Sequence, residues 1–164
     1  VFDQIAGMPA HPLLVHAAVV FIPLLAVGSV LYSLFPALRY RLRWPVGLLA
    51  LAAAGSCVAA HQSGQAFRSR MIAKNLVSPE FLPRIASHSR LGDGAMWATL
   101  GLAVATLVFL LAVPGRPPGF EGPRPGGLLL QIVFAVVFIA LSGVSLYYVV
   151  RTGDSGARMV WGGF

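Results

Sequence analysis

Four apolar runs, approximately residues 13–35, 44–61, 95–113 and 128–150, decide what this chain can become. At about 1.5 Å per residue, each is long enough, with modest tilt or extension, to cross most or all of a hydrocarbon core of roughly 30 Å. In lipid a spanning segment must satisfy its own backbone N–H and C=O groups, so the runs are read as helices. The expected fold is an all-α, four-span transmembrane bundle forming a single domain over residues 1–164. A chain that is 57% hydrophobic and 10% charged belongs to the integral membrane class, and four spans in 164 residues leave little length for a soluble module. The first run exceeds 20 apolar residues, follows no Lys or Arg and lacks an evident small-residue cleavage site. It therefore reads as a retained helix instead of a cleavable signal.

Each crossing changes sides. The start of the first helix, the end of the second and the start of the third consequently share one membrane face, and His11, His16, His61 and His88 all fall there. The net charge of +7 would suggest nucleic acid in a soluble protein, but here the arginines flank the spans. The expected partners are anionic lipid headgroups and not nucleic acid. The single cysteine, Cys57, lies in mid-span, excludes an internal disulfide and reads as a small packing residue.

Local signals place the ends of the helices. Pro12 suits a first helical position and leaves His11 near the cap, while Pro23 removes a hydrogen bond to the Val19 carbonyl and should bend the first helix. Pro45 reads as the opening of the second helix, in which Ala52, Ser56 and Ala60 recur at spacings of four beside Gly55 and Ala59. That pattern places the second helix at the centre of the bundle. The helix is free to run on through Phe67 toward Lys74. Ser78-Pro79-Glu80 reads as a new helix start, with Pro83 and Gly92 as points of interruption. Residues 114–127 are too rich in Pro and Gly for a helix, and Arg151 to Phe164 reads as a short glycine-containing tail.

Orientation rests on the basic residues. The face away from the histidines carries Arg39, Arg41, Arg43, Arg116 and Arg124. The histidine face carries Arg68, Arg70, Lys74, Arg84, Arg90, Arg151 and Arg158. The count of five against seven favours the histidine face as cytoplasmic, but no basic residue precedes the first helix and three follow it, and because the first helix usually dominates the histidines and both termini are expected outside a bacterial cell membrane.

The string His11-Pro12-Leu13-Leu14-Val15-His16, followed by Val20, Ile22, Pro23 and Leu24, resembles the opening of the DUF2231 family of predicted bacterial membrane proteins. Gln62-Ser63-Gly64, His88 with Leu91-Gly92-Asp93, Thr152-Gly153-Asp154-Ser155-Gly156-Ala157 and Val160-Trp161 are similar to actinobacterial members. The resemblance covers almost the whole chain and implies a four-helix membrane domain without a settled biochemical role. Some relatives join this domain to a Rieske iron–sulfur domain. This chain lacks the CxH pairs such a cluster requires. The family pattern fits His11, His16 and His88 better than His61.

Ionisable side chains near or within apolar spans are costly and are candidates for function. His11 and His16 stand five positions apart, roughly 140° round an ideal helix, and so are poorly placed to hold one ion. Pairs across the bundle are better placed. One b-type haem held by His16 and His88, with His61 as substitute ligand and Arg84 and Arg90 near the propionates, would make the chain a local electron carrier or part of a redox complex. Non-haem metal would use His16, His61 and His88 with Asp93. The plainer alternative is a cofactor-free scaffold or accessory subunit, whose histidines bond carbonyls or water. A redox complex or a second copy of the chain is the candidate protein partner.

Other chemistry finds little support. Asp3, Glu80, Asp93, Glu121 and Asp154 are the only acids and none lies clearly within a span, which argues against a carboxylate relay. Gln131, Ser142 and Ser145 are scarcely enough for a channel or transporter, and no inverted repeat is apparent. The glycines from Gly153 to Gly156 follow a helix instead of preceding one, so they do not form a phosphate loop. Nothing in the sequence points to an enzyme.

Overall fold

A computed structural model describes residues 4–5, 7–117, 119 and 127–162. Two short antiparallel strands, β1 (Gln4–Ile5) and β2 (Met8–Pro9), lead directly into the first of four helices. These are α1 (Ala10–Leu34), α2 (Arg39–Ala73), α3 (Leu82–Ala112) and α4 (Leu128–Trp161). All four are long and apolar enough to cross a membrane, as the apolar runs require. Each helix packs on two neighbours in a ring, α1 on α2, α2 on α3, α3 on α4 and α4 on α1. The expectations for Asp3, Glu121, Arg124 and Phe164 fall outside the described residues.

Three helices overrun the bilayer. At 35, 31 and 34 residues, α2, α3 and α4 are each about 46–52 Å long, against a hydrocarbon core of roughly 30 Å. The surplus lies on the histidine side, where residues 62–73 of α2, 82–94 of α3 and 151–161 of α4 continue past the apolar runs. The expected glycine-containing tail after Val150 is therefore helical as far as Trp161, since Gly153 and Gly156 cost helix propensity but leave the backbone hydrogen bonds intact. Pro83 and Gly92 do not interrupt α3: Pro83 sits in its first turn, where no N–H is needed. Nor does Pro45 open the second helix. That helix begins at Arg39, after a single 3-10 turn over Pro36–Leu38, and Pro45 lies inside it.

The second helix is not central either. Its buried residues are Arg39, Val46, Ala50, Ala53, Cys57, Ala60 and Ser63, whereas Gly55 is exposed and an added Cβ there would meet nothing within 4 Å. The larger buried shares belong to α1 and α3. These two meet across the middle of the ring, where the Ser29 and Thr106 hydroxyls hydrogen-bond each other at 2.9 Å.

That contact lies on a pseudo-two-fold axis. Moving 77 positions along the chain carries Ser29 onto Thr106. The same step carries the buried residues Ala18, Ile22, Leu25, Ala26, Ser29, Tyr32 and Ser33 of α1 onto Ala95, Thr99, Leu102, Ala103, Thr106, Phe109 and Leu110, which are the buried residues of α3. A step of 92 carries Val46, Ala50 and Ala53 of α2 onto Phe138, Ser142 and Ser145, the buried residues of α4. The bundle is thus two helical hairpins, α1–α2 and α3–α4, in the same orientation, a parallel repeat. Self-contact along the axis recurs at the far end from the histidines, where Tyr32 and its counterpart Phe109 stack edge to face with centroids 5.8 Å apart. There Arg39 closes α1, donating from Nε to the Tyr32 carbonyl and from Nη2 to the Ser33 carbonyl, a favourable place for a cation at a helix C-terminus.

Candidate functional site

At the other end of the axis the repeat brings two histidines together. His11 and His88 are separated by the same 77-residue step, each 18 residues before the Ser29–Thr106 contact on its own helix. Their ring centroids are 6.3 Å apart, edge to face. Both rings are partly buried, at the level where α2, α3 and α4 have passed beyond the apolar runs.

The two rings are held in the same way by equivalent residues. His11 Nδ1 lies 3.0 Å from the Ala60 carbonyl oxygen and 3.2 Å from the Ser63 hydroxyl, and Ser63 itself donates to the Ala60 carbonyl at 2.9 Å. His88 Nδ1 lies 2.7 Å from the Ser155 hydroxyl, and Ser155 donates to the Thr152 carbonyl at 2.9 Å. Thr152 and Ser155 stand 92 positions after Ala60 and Ser63. A carbonyl can only accept, and a serine whose proton is committed to a carbonyl also accepts, so Nδ1 carries the hydrogen in both rings. The lone pair then resides on Nε2, for which no hydrogen bond exists among the described residues.

Glycines make the fit possible. A Cβ on Gly64 would stand 3.0 Å from His11 Cε1 and 3.2 Å from its Nδ1, and a Cβ on Gly156 would stand 3.2 Å from His88 Cε1. Each imidazole lies against a helix backbone that only glycine leaves bare. Gly156 is again 92 positions after Gly64. The unit is therefore His-on-Ser-Gly, and it occurs twice.

Burial pushes both imidazoles below the ordinary histidine value of 6.5, the Ala60 carbonyl partly offsetting this for His11. For His88 the nearby His11 lowers it further, while the Thr152 carbonyl acts in the opposite direction. The shift favours the neutral ring, the state in which an imidazole can ligate a metal.

The pair expected from the sequence, His16 and His88, is not brought together. His16 is exposed and bonds only the Pro12 carbonyl of its own helix. The five-residue step from His11 turns it away from the axis, so it meets neither His88 nor His61. His61 pairs instead with Asp93, Nδ1 to Oδ1 at 3.3 Å, linking α2 to α3. No group of three or more His, Cys, Asp or Glu side chains able to hold a metal exists among the described residues, so the set His16, His61, His88 and Asp93 is not assembled. Arg84 lines a cavity beside Ser155, whereas Arg90 is exposed. His11, expected only as a residue near the helix cap, is the partner that His88 meets. The signal was present as two Ser-Gly dipeptides 92 apart and two histidines 77 apart.

The sequence profile of DUF2231, described as a predicted membrane protein family, matches residues 7–163. The chain belongs to the DUF2231 family. No curated protein and no solved structure matches it. Within this family member, the opening string contributes His11 to the site and leaves His16 outside it. The Gln62-Ser63-Gly64 and Asp154-Ser155-Gly156 strings supply the two cradles.

Proposed function

We propose that this DUF2231 protein is a membrane redox subunit that holds one b-type haem between His11 and His88, near one face of a bacterial cell membrane. The observation that carries the reading is the pair of imidazoles that two different helices bring edge to face, with centroids 6.3 Å apart. Each is anchored through Nδ1 to a carbonyl and a serine, which leaves Nε2 as ligand. A metal-bound histidine almost always gives its other N–H to such a partner, which fixes the tautomer and raises basicity. Metal–nitrogen distances of about 2 Å put two imidazoles that share one ion roughly 6 Å apart between centroids. The observed separation is 6.3 Å.

Donor number favours haem over a bare ion. Two histidines complete six-coordination only when the macrocycle supplies the other four nitrogens, whereas tetrahedral zinc would need two more protein ligands. The bound group would supply one-electron chemistry. His11 and His88 would hold it, Ser63 and Ser155 orient their rings, and Phe67 would shield it, its ring lying 6.4 Å from that of His11. The three arginines that directly follow the first span support an outward-facing site.

Protein purified from haem-producing cells should show a Soret band and sharp reduced visible bands, with one haem per chain. His11→Ala and His88→Ala should each abolish six-coordination, and His16→Ala and His61→Ala should not. A colourless, stable preparation without stoichiometric metal would overturn the reading in favour of a cofactor-free scaffold. A reporter placed near Arg41 should be active only in the cytoplasm. Activity outside would reverse the orientation and leave the site intact.

A further inference from the structure

The two His-on-Ser-Gly units differ in what lies outside them. In the first half the outer side is sealed: Ala10 and Ser63 are fully buried, Phe67 stacks on His11, and the strand residue Gln4 accepts from Arg70 at 2.7 and 3.0 Å. The counterparts in the second half are Ser87, Ser155, Met159 and Gly162. Among the described residues no strand pair covers them. Together with Arg84 and Arg158 they line an open cavity of about 380 Å³. Thus the same place in the repeat is a plug of chain in one half and an arginine-lined opening in the other.

We propose that this cavity binds a small water-borne oxyanion of the phosphate class, free or attached to a small organic body. Two guanidinium groups and the Ser87 hydroxyl are a donor set such a group takes, the Ser155 proton being held by the Thr152 carbonyl. Arg158 uses Nε for both carboxylate oxygens of Asp154, at 3.0 Å each, which orients the side chain and leaves its two Nη groups for a ligand. The Arg84 guanidinium lies over the Phe81 ring at 5.7 Å. Depth distinguishes a dissolved anion from a lipid headgroup. At about 1.5 Å per residue, Ser155, Arg158 and Gly162 stand roughly 8, 12 and 18 Å beyond Val150, and Arg84 stands roughly 16 Å before Ala95. Headgroups extend only about 5–8 Å past the hydrocarbon core, so most of the cavity faces water. Because Ser155 lines the cavity and also holds His88 Nδ1, occupancy reaches one histidine of the pair directly. The cavity needs no haem to bind its anion.

The test is calorimetric titration of the intact chain, in nanodiscs of phosphatidylcholine, with inorganic phosphate and with glycerol 3-phosphate at fixed ionic strength. One saturable site per chain is expected, weakened roughly tenfold or more by Arg84→Gln and by Arg158→Gln, with Arg84→Lys partly restored. Arg68→Gln and Arg90→Gln should leave it within about twofold, since neither lines the cavity. In imidazole-nitrogen NMR, phosphate should move the His88 resonances more than those of His11. A parallel series in phosphatidylglycerol nanodiscs should give the same phosphate affinity. Retention of phosphatidylglycerol through Arg84 and Arg158, without binding of free phosphate, would show a lipid site and overturn the proposal. So would phosphate binding that survives the double Arg84→Gln, Arg158→Gln variant, or no binding at all.

Discussion

The two hairpins of this bundle share a skeleton and differ in polarity. Where the first half places Ile22, Ala50 and Ala53 against the core, the second places Thr99, Ser142 and Ser145 at the equivalent positions. Where the first half closes over His11, the second leaves His88 beside an opening. The histidine, the serine and the glycine are unchanged. Backbone repetition therefore fixes where the two imidazoles meet, and side-chain divergence decides which of them water and solutes can approach.

The largest effect should come from filling a cradle. Gly64→Val puts a branched side chain where a single Cβ already stands 3.0 Å from His11, and overpacking of this kind costs about 1–3 kcal/mol. Gly156→Val should cost less, because its Cβ would make one contact below 3.4 Å instead of two and that half is open on its outer side. Gly55→Val should leave thermal stability in detergent unchanged, since nothing stands near that position. Equal losses at Gly64 and Gly156 would mean that the two cradles are equally closed.

The axial contact offers the next test. Ser29→Ala and Thr106→Ala should each destabilise the bundle. A double-mutant cycle should return a coupling of about 0.6 kcal/mol and no more than about 1.7 kcal/mol, the range measured for hydrogen bonds between membrane helices. A coupling near zero would detach the two halves at their centre.

Acidification should act on the haem-free chain through both imidazoles. Burial lowers their folded values, so the unfolded chain binds protons more readily below about pH 6.5. Their contribution is complete above that pH and is lost as the pH falls toward the depressed folded values. Melting temperature should therefore fall on going from about pH 7.5 to 5, and the fall should be shallower in the His11→Gln, His88→Gln variant. The smallest effect belongs to Asp154→Asn, which breaks an exposed i,i+4 pair worth a few tenths of a kcal/mol.

The spans and their order were legible because hydrophobic length is a local property, readable at Leu13 or Leu128 without knowledge of any neighbour. The extent of α4 was not. Gly153 and Gly156 are breakers by propensity, and the helix survives there with His88 packed on Gly156. The role of α2 was misread because small residues announce close approach without saying which face makes it, and Gly55 lies on the exposed one. The site was half legible. His88 and its face of the membrane follow from counting crossings. The choice of His11 over His16 depends on which side of α1 meets α3, and that is set by the repeat, whose halves share, beyond the histidine and the Ser-Gly pair, mainly Leu, Ala and Val, which recur in any apolar span.

Chemical rescue tests most directly the claim that His11 and His88 are equivalent axial ligands. His11→Gly and His88→Gly, purified with haem, should each show a five-coordinate spectrum that free imidazole returns to the six-coordinate form, because each deletion vacates one axial place and leaves the other filled. Retention of the six-coordinate spectrum in either variant without imidazole, or a wild-type chain that takes up no haem, would contradict the account.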